Sequence, residues 1–225
     1  MNIQKVLFFD TTIDYSRVEL FTIHDSDFSL NYQWISRNSR DASTELVWRI
    51  QEGLIKSSFE IPDILFCPTG PGLFTGIRLT VALARNLVQF WKVPCLAVTT
   101  TELYLRSFLA YSKQNSVILI DGKQGKYFYQ KYESGLLSPI IEKQKEVLKD
   151  MVYDSGDLII LDKELDLLKQ RMDYSIIRDL GSIPEAFLFF SKSMAPFNNY
   201  DSIIPNYIRG SYVDHGPIQN TIQTS

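Results

Sequence analysis

The sequence predicts an α/β protein built as two similar lobes. Two observations carry this. An apolar run that ends in an aspartate occurs twice, as Val6–Phe9 before Asp10 and as Val117–Ile120 before Asp121. After each run the order of elements echoes, strand first and helices later, although no repeat of sequence is visible. The restart places the boundary between Tyr111 and Ser116, giving an N-terminal lobe over 1–112 and a C-terminal lobe over 113–225 with a polar tail.

The elements follow in order. Val6–Phe9 is a continuous apolar run, the pattern of a buried strand. Arg17–His24 alternates weakly and predicts a second strand; Phe28–Ile35 predicts a third after the Asp25-Ser26-Asp27 turn. Cap-forming residues over Asn38–Ser43 precede helical spacing from Ser43 to Phe59, and Pro62-Asp63 stops it. Ile64–Cys67 is a short strand, Pro68–Gly76 a Gly/Pro loop, Ile77–Trp91 a helix, Cys95–Val98 a strand and Glu102–Tyr111 a helix. In the second half Val117–Ile120 and Tyr127–Tyr132 predict a hairpin, Leu158–Leu161 a strand, Glu164–Met172 a helix, Ser175–Ile177 a short strand and Ile183–Met194 a helix. The tail after Gly216 is polar and is expected to fray.

Composition sets the bounds. With 225 residues, 45% of them hydrophobic and 13% aromatic, the chain supports a sizeable core and no long disorder. A net charge of -3, without a dense run of Lys or Arg, argues against stand-alone nucleic-acid binding. No stretch is long enough to span a bilayer, and the short run before Asp10 does not read as a signal peptide. Cys67 and Cys95 lie in apolar strands, as expected of buried free thiols in a reducing cytoplasm.

The most informative stretch runs from Cys67 to Arg78, Cys-Pro-Thr-Gly-Pro-Gly-Leu-Phe-Thr-Gly-Ile-Arg. Gly70 and Gly72 flank a proline, so the backbone makes a tight turn that side chains would obstruct. Thr75 is a candidate cap for the following helix, and amides at such a turn can meet an anion. The run lacks the Gly-Lys-Ser/Thr ending of a phosphate loop, so a purely structural strand-to-helix turn is the competing reading. Arg78, on the first turn, suits either an anion or a carboxylate. Asp10 and Asp121 are the best-placed carboxylates, either to serve a ligand in the cleft or to tie loops together. No nucleophile stands beside a base in a recognisable motif, and His24 and His215 lack ligand spacing.

This central run resembles the TsaB-family signature Gly-Pro-Gly-Ser-Phe-Thr-Gly-Leu/Val-Arg. Three further stretches resemble the family: Asp10-Thr11-Thr12 near the start, Asp121-Gly122-Lys123-Gln124-Gly125-Lys126-Tyr127 in the middle and Pro205-Asn206-Tyr207-Ile208-Arg209 near the end. Leu73 departs from the usual Ser and Lys126 from the usual Glu, and Gly135–Tyr174 has no anchor. The resemblance implies a two-lobed actin-like (ASKHA, RNase H-like) fold with mixed sheets flanked by helices. It implies a non-catalytic subunit, required with TsaD and TsaE for threonylcarbamoyl transfer to the adenosine next to the anticodon of tRNA. On that reading the metal, ATP and chemistry belong to a TsaD-like catalytic subunit and a TsaE-like ATPase, tRNA is met only through the complex, and the chain alone is a cytoplasmic homodimer. Asp10, Thr11, Gly70, Gly72, Thr75, Arg78 and Asp121 would be the remnant of a nucleotide site. No catalytic or metal residue is expected: the helix Ser43–Phe59 has no His where the catalytic paralogue carries a His-x-x-x-His pair. The alternatives are a stand-alone ASKHA-type small-molecule kinase or an interaction module of unknown pathway.

Helical geometry adds a partner surface. At ~100° per residue, Ile77, Val81, Ala84 and Val88 form one stripe of their helix and Leu79, Leu83, Leu87 and Phe90 a second beside it. On Ser43–Phe59 the main stripe is Leu46, Val47, Ile50 and Leu54, with Trp48 and Ile55 well off it. One stripe of each helix suffices for its own sheet. Trp48, Gln51, Ile55, Leu79, Leu83, Leu87 and Phe90 are therefore expected to face a partner, the second lobe or a neighbouring helix being the competing destination.

Overall fold

A computed structural model describes residues 3–36, 42–109, 115–145, 158–161, 174–176 and 181–208. The first sheet is built from β1 (Ile3–Asp10), β2 (Ser16–His24), β3 (Asp27–Ser36), β4 (Ile64–Pro68) and β5 (Cys95–Val98) in the order β3-β2-β1-β4-β5. The first three strands form an antiparallel meander; β4 and β5 continue parallel to β1. Helix α1 (Ala42–Ser57) connects β3 to β4, α2 (Phe74–Trp91) connects β4 to β5, and α3 (Thr100–Leu109) follows β5.

Alternation of side chains across the strands gives this sheet two apolar faces. Leu7, Phe9, Leu20, Leu65 and Cys67 pack with Leu46 and Ile50 of α1 and Ile77, Val81, Ala84 and Val88 of α2. Phe8, Phe21 and Phe66 pack on the other face with Leu103 of α3 and with Phe187 of α4 (Ile183–Ser193). The Phe187 ring meets Phe21 and Phe66 edge-on, with centroids 5.8 and 5.5 Å apart. A strand buried on both faces must be apolar throughout, which is why β1 reads as a run without alternation.

The second sheet contains β6 (Ser116–Lys123), β7 (Lys126–Glu133), β8 (Leu136–Leu137), β10 (Leu158–Leu161) and β11 (Tyr174–Ile176) in the order β11-β10-β6-β7-β8, and β9 (Ile141–Gln144) pairs with β7. β6 and β7 form an antiparallel hairpin, and β10 and β11 run parallel to β6. The plan of the first sheet is thus repeated, with β6 in the place of β1. Ile118, Ile120 and Phe128 close the core from this side.

Packing crosses the boundary at 112/113. Helix α4 and the segment after it lie against the first sheet: Phe197 exchanges backbone hydrogen bonds with Cys95 at 2.7 and 2.9 Å, and Ile203 is buried with Leu7 and Cys67. Cys67 and Cys95 are free and buried, their sulfurs 3.7 Å apart.

Most strands lie where the pattern placed them, within two residues. Three expectations change. Helix α2 begins at Phe74, not Ile77. Helix α3 spans Thr100–Leu109, not Glu102–Tyr111. Val47 is 59% exposed and does not share the buried stripe of α1. The close approach of α1 to its sheet is at Gly53, where an added Cβ would stand 2.5 Å from Leu20 and 2.7 Å from Tyr32, so the stripe is centred on Leu46, Ile50 and Gly53. The helix expected at Glu164–Met172 and the tail after Gly216 lie outside the described residues.

Candidate functional site

The site is assembled around the end of β1. Asp10 is fully buried and its carboxylate is committed within the protein. Oδ1 accepts the Thr12 amide at 2.6 Å, and Oδ2 accepts the Tyr104 hydroxyl from α3. Burial pushes the Asp10 carboxyl above the ordinary aspartate range, while the hydrogen bonds from Tyr104 and Thr12 pull the other way. Burial, reinforced by the charge of Asp10, pushes the Tyr104 phenol well above its ordinary value.

Thr11 and Thr12 press against the Gly-Pro-Gly turn and α2. The Thr11 amide donates to Thr80 Oγ1 at 3.0 Å, and the Thr11 hydroxyl donates to the Gly76 carbonyl at 2.8 Å. With its proton so used, Thr11 Oγ1 accepts from the Thr80 hydroxyl at 2.8 Å. The Leu73 amide donates to the Thr12 carbonyl at 2.6 Å. Glycine is required for this approach: a Cβ on Gly72 would stand 2.0 Å from the Thr12 oxygen, and one on Gly76 only 1.7 Å from the Thr11 oxygen. Gly70, with φ 113°, precedes a cis Pro71. Its amide donates to Thr100 Oγ1 at 3.1 Å, and its carbonyl accepts the Thr100 amide at 2.8 Å.

The C-terminal motif completes the same site. The Asn206 amide donates to the Thr69 carbonyl at 2.7 Å, and the Tyr207 ring lies 5.1 Å from that of Phe74. Three motifs far apart in sequence therefore meet in one place.

Asp121 belongs to the facing lobe. It is buried at the end of β6; its Oδ1 accepts the Lys123 amide at 2.8 Å, and its Oδ2 lies 3.3 Å from the Lys123 ammonium. Between the lobes is a cavity of about 370 Å³, lined by Gly72, Phe74 and Ile77 on one side and Gln124, Lys126 and Phe128 on the other. Lys126 pairs with Glu142 of β9 at 2.8 Å, both half-buried. The positive charge at Lys126 thus has its own carboxylate in the cavity wall.

The structure brings Asp10, Thr11, Gly70 and Gly72 together and sets Asp121 across the cleft. Thr75 and Arg78 face outward. Thr75 does not cap α2, because the helix starts one residue earlier; Leu73 is the N-cap residue, in extended conformation (φ -67°, ψ 121°), and supplies no side-chain acceptor. Arg78 stacks on the Phe74 ring with its guanidinium carbon 4.0 Å from the centroid. Tyr104, Thr80, Thr100, Lys123 and Asp14 were not singled out from sequence, since nothing local marks a threonine or tyrosine on a helix as a partner of a distant aspartate.

The uncapped start of α2 has a direct test. Serine at 73 would place a hydroxyl where the amides of the first turn need an acceptor, worth about 1 kcal/mol. Because the Leu73 side chain is only half-buried, its loss offsets part of the gain. Leu73→Ser is expected to raise Tm by about 1–3 °C in a thermal melt; an unchanged or lower Tm would count against the cap assignment.

Two sheets of the same strand order, each with a buried aspartate at or near the end of its central strand and a cleft between them, define a protein of the actin-like class. The chain belongs to the family described as TsaD: tRNA N6-adenosine threonylcarbamoyltransferase, which matches residues 38–201. Within it, the similarity is to TsaB and YeaZ proteins. The tRNA threonylcarbamoyladenosine biosynthesis protein TsaB of Buchnera aphidicola subsp. Acyrthosiphon pisum (strain APS) is 24% identical over 189 residues, covering 76% of this chain and 84% of that one. The protein of the same name from Bacillus subtilis (strain 168) is 25% identical over 156 residues, 62% of this chain and 66% of that one. A crystal structure from Pseudomonas aeruginosa, described as an uncharacterized protein with similarity to peptidase YEAZ, superposes with a TM-score of 0.70 at 16% identity, over 92% of this chain and all (100%) of the other. At that identity the match speaks for the fold, and the fold it supports is the actin-like one.

Proposed function

We propose that this chain is a non-catalytic scaffold subunit in the biosynthesis of threonylcarbamoyladenosine in tRNA, acting through a TsaD-like catalytic subunit. The relatives named for that biosynthesis support the pathway. The observation that carries the scaffold role is an uncovered apolar surface on α1 and α2. Trp48, Ile55 and Phe90 are 60%, 72% and 78% exposed. Leu79, Leu83 and Leu87 beside them are only half-buried against the core, and Gln51 is exposed. Two helices that pack on the same face of the first sheet and leave Trp, Ile and Phe in water, with Leu half-buried, offer a surface suited to another protein.

The cleft supports the same reading. Asp10 is bound by Tyr104 and Thr12, Asp121 by Lys123, and the Gly70 and Leu73 amides by Thr100 and Thr12. Among the described residues no three His, Cys, Asp or Glu side chains come together as metal ligands. ATP, metal and the transfer chemistry are then assigned to the TsaD-like subunit and a TsaE-like ATPase. The chain meets tRNA only in their company and, without them, pairs with itself in the cytoplasm. Among the described residues no helix is long and apolar enough to cross a membrane.

The test is depletion in the native cell with nucleoside mass spectrometry, together with co-purification. Threonylcarbamoyladenosine is expected to fall, and a TsaD-like protein to co-purify. An unchanged level of the nucleoside would reject the function and leave the fold standing.

A further inference from the structure

We propose that Lys123 is a latch that holds the cleft between the two lobes closed. One ammonium group joins carboxylates from both. It donates to Asp14 Oδ1 at 2.9 Å, and Asp14 lies on the connection between β1 and β2 of the first sheet. It also lies 3.3 Å from Asp121 Oδ2 on β6 of the second sheet. The Lys123 amide donates to Asp121 Oδ1 at 2.8 Å, so one residue holds both oxygens of a buried carboxylate. The backbone is shaped for this: β6 is irregular between Asp121 and Lys123, and Lys123 and Gln124 take left-handed conformations with φ 67° and 56°.

The two arms of the latch are unequal. Asp121 is nearly inaccessible, and a buried carboxylate that loses its cation is strongly penalised. Asp14 and Lys123 are half open to solvent, so their contact is weaker and is screened by salt. The Asp14 arm is therefore the one that releases. Its release has a consequence for the cavity of about 370 Å³, because Gly122, Gln124 and Lys126 of the same hairpin form one wall while Pro71, Gly72 and Phe74 form the other. Separating Lys123 from Asp14 frees the hairpin wall to move from the loop wall. The latch thus sets access to the cavity, and it does not depend on the scaffold reading above.

The test is hydrogen exchange by mass spectrometry on the whole chain, comparing the parent with Asp14→Asn, Lys123→Met and the double variant. In Asp14→Asn, which keeps Lys123 on Asp121, exchange over 13–15 and 121–128 is expected to rise about two- to fivefold while the amides of β1 and β4 stay protected. The double variant is expected to exchange like Lys123→Met alone, because the two residues act through one contact. Salt at about 1 M should reproduce the effect in the parent and not in Asp14→Asn. Parent-like exchange in Asp14→Asn, or additive effects in the double variant, would overturn the proposal. If Lys123→Met fails to fold by circular dichroism, Asp14→Asn and the salt response decide it.

Discussion

Under the proposed scaffold role, replacing Trp48 with glutamate is expected to leave the chain folded and to separate it from a second copy and from a TsaD-like subunit. Trp48 is 60% exposed, so its removal opens no cavity in the core. The new charge would stand between Glu45 three residues before and Glu52 four residues after, on one face of α1. Arg49 cannot offset it, because its guanidinium already holds Glu45 at 3.0 Å and Glu52 at 3.0 Å. An interface closing over this position would have to bury an unpaired carboxylate. Loss of a central tryptophan alone is worth about 2 kcal/mol or more, so affinity for a second copy and for the TsaD-like subunit should fall at least ~30-fold. Sedimentation should show a monomer with an unchanged circular dichroism spectrum. Leu136→Glu is the matched control: its side chain is also exposed, but on β8 of the second sheet, and association should survive it. A Trp48→Glu protein that still dimerises and binds TsaD would place the interface elsewhere; an unfolded one would make Trp48 part of the core.

The parts of this structure that sequence could supply are those governed by short-range periodicity. β1, β4 and β5 are apolar runs because each is covered on both faces; the bounds of β4 and β5 followed from that to within a residue, while β1 begins three residues before its apolar run, at the exposed Ile3. The Gly-Pro-Gly turn was marked by its composition. Its function was not, because the same turn serves an anion or a packed backbone, and the difference lies in which groups approach it. Here they are the Thr11 and Thr12 carbonyls, brought by pairing of β1 with β4. The start of α2 was misplaced for a similar reason. Thr75 looks like a cap, but the helix already begins at Phe74, whose ring meets that of Tyr207, over a hundred residues later. Strand β9 was missed because Ile-Glu-Lys-Gln has no apolar alternation; it is held by pairing with β7 and by the Lys126–Glu142 ion pair. A surplus of apolar positions on α1 and α2, beyond the one stripe a helix needs for its core, was legible as well, and the structure leaves Trp48, Ile55 and Phe90 exposed.

Gly76→Ala is expected to be among the most damaging single substitutions in the chain, by about 3 kcal/mol or more. Alanine is the better helix former by about 1 kcal/mol, and Gly76 lies inside α2 without a positive φ, so intrinsic propensity predicts the opposite. The decisive quantity is distance: the added Cβ would stand 1.7 Å from the Thr11 carbonyl oxygen. That oxygen is backbone and cannot rotate away. Thr11 is fixed to α2 through Thr80 and through the Gly76 carbonyl itself, and Thr12 is fixed to Asp10. Relief requires α2 to withdraw from the end of β1. That motion breaks these buried hydrogen bonds and the Leu73 amide bond to Thr12, at about 1 kcal/mol or more each. Gly125→Ala separates crowding from backbone strain. Gly125 has φ 76° and nothing within 4 Å of its added Cβ, so its replacement should cost only the left-handed penalty, about 1–2 kcal/mol. Urea denaturation of the two variants should place Gly76→Ala well below Gly125→Ala in midpoint. Equal midpoints would mean that α2 has room to move, and that the contact between the Asp10-Thr11-Thr12 segment and the turn is looser than these distances require.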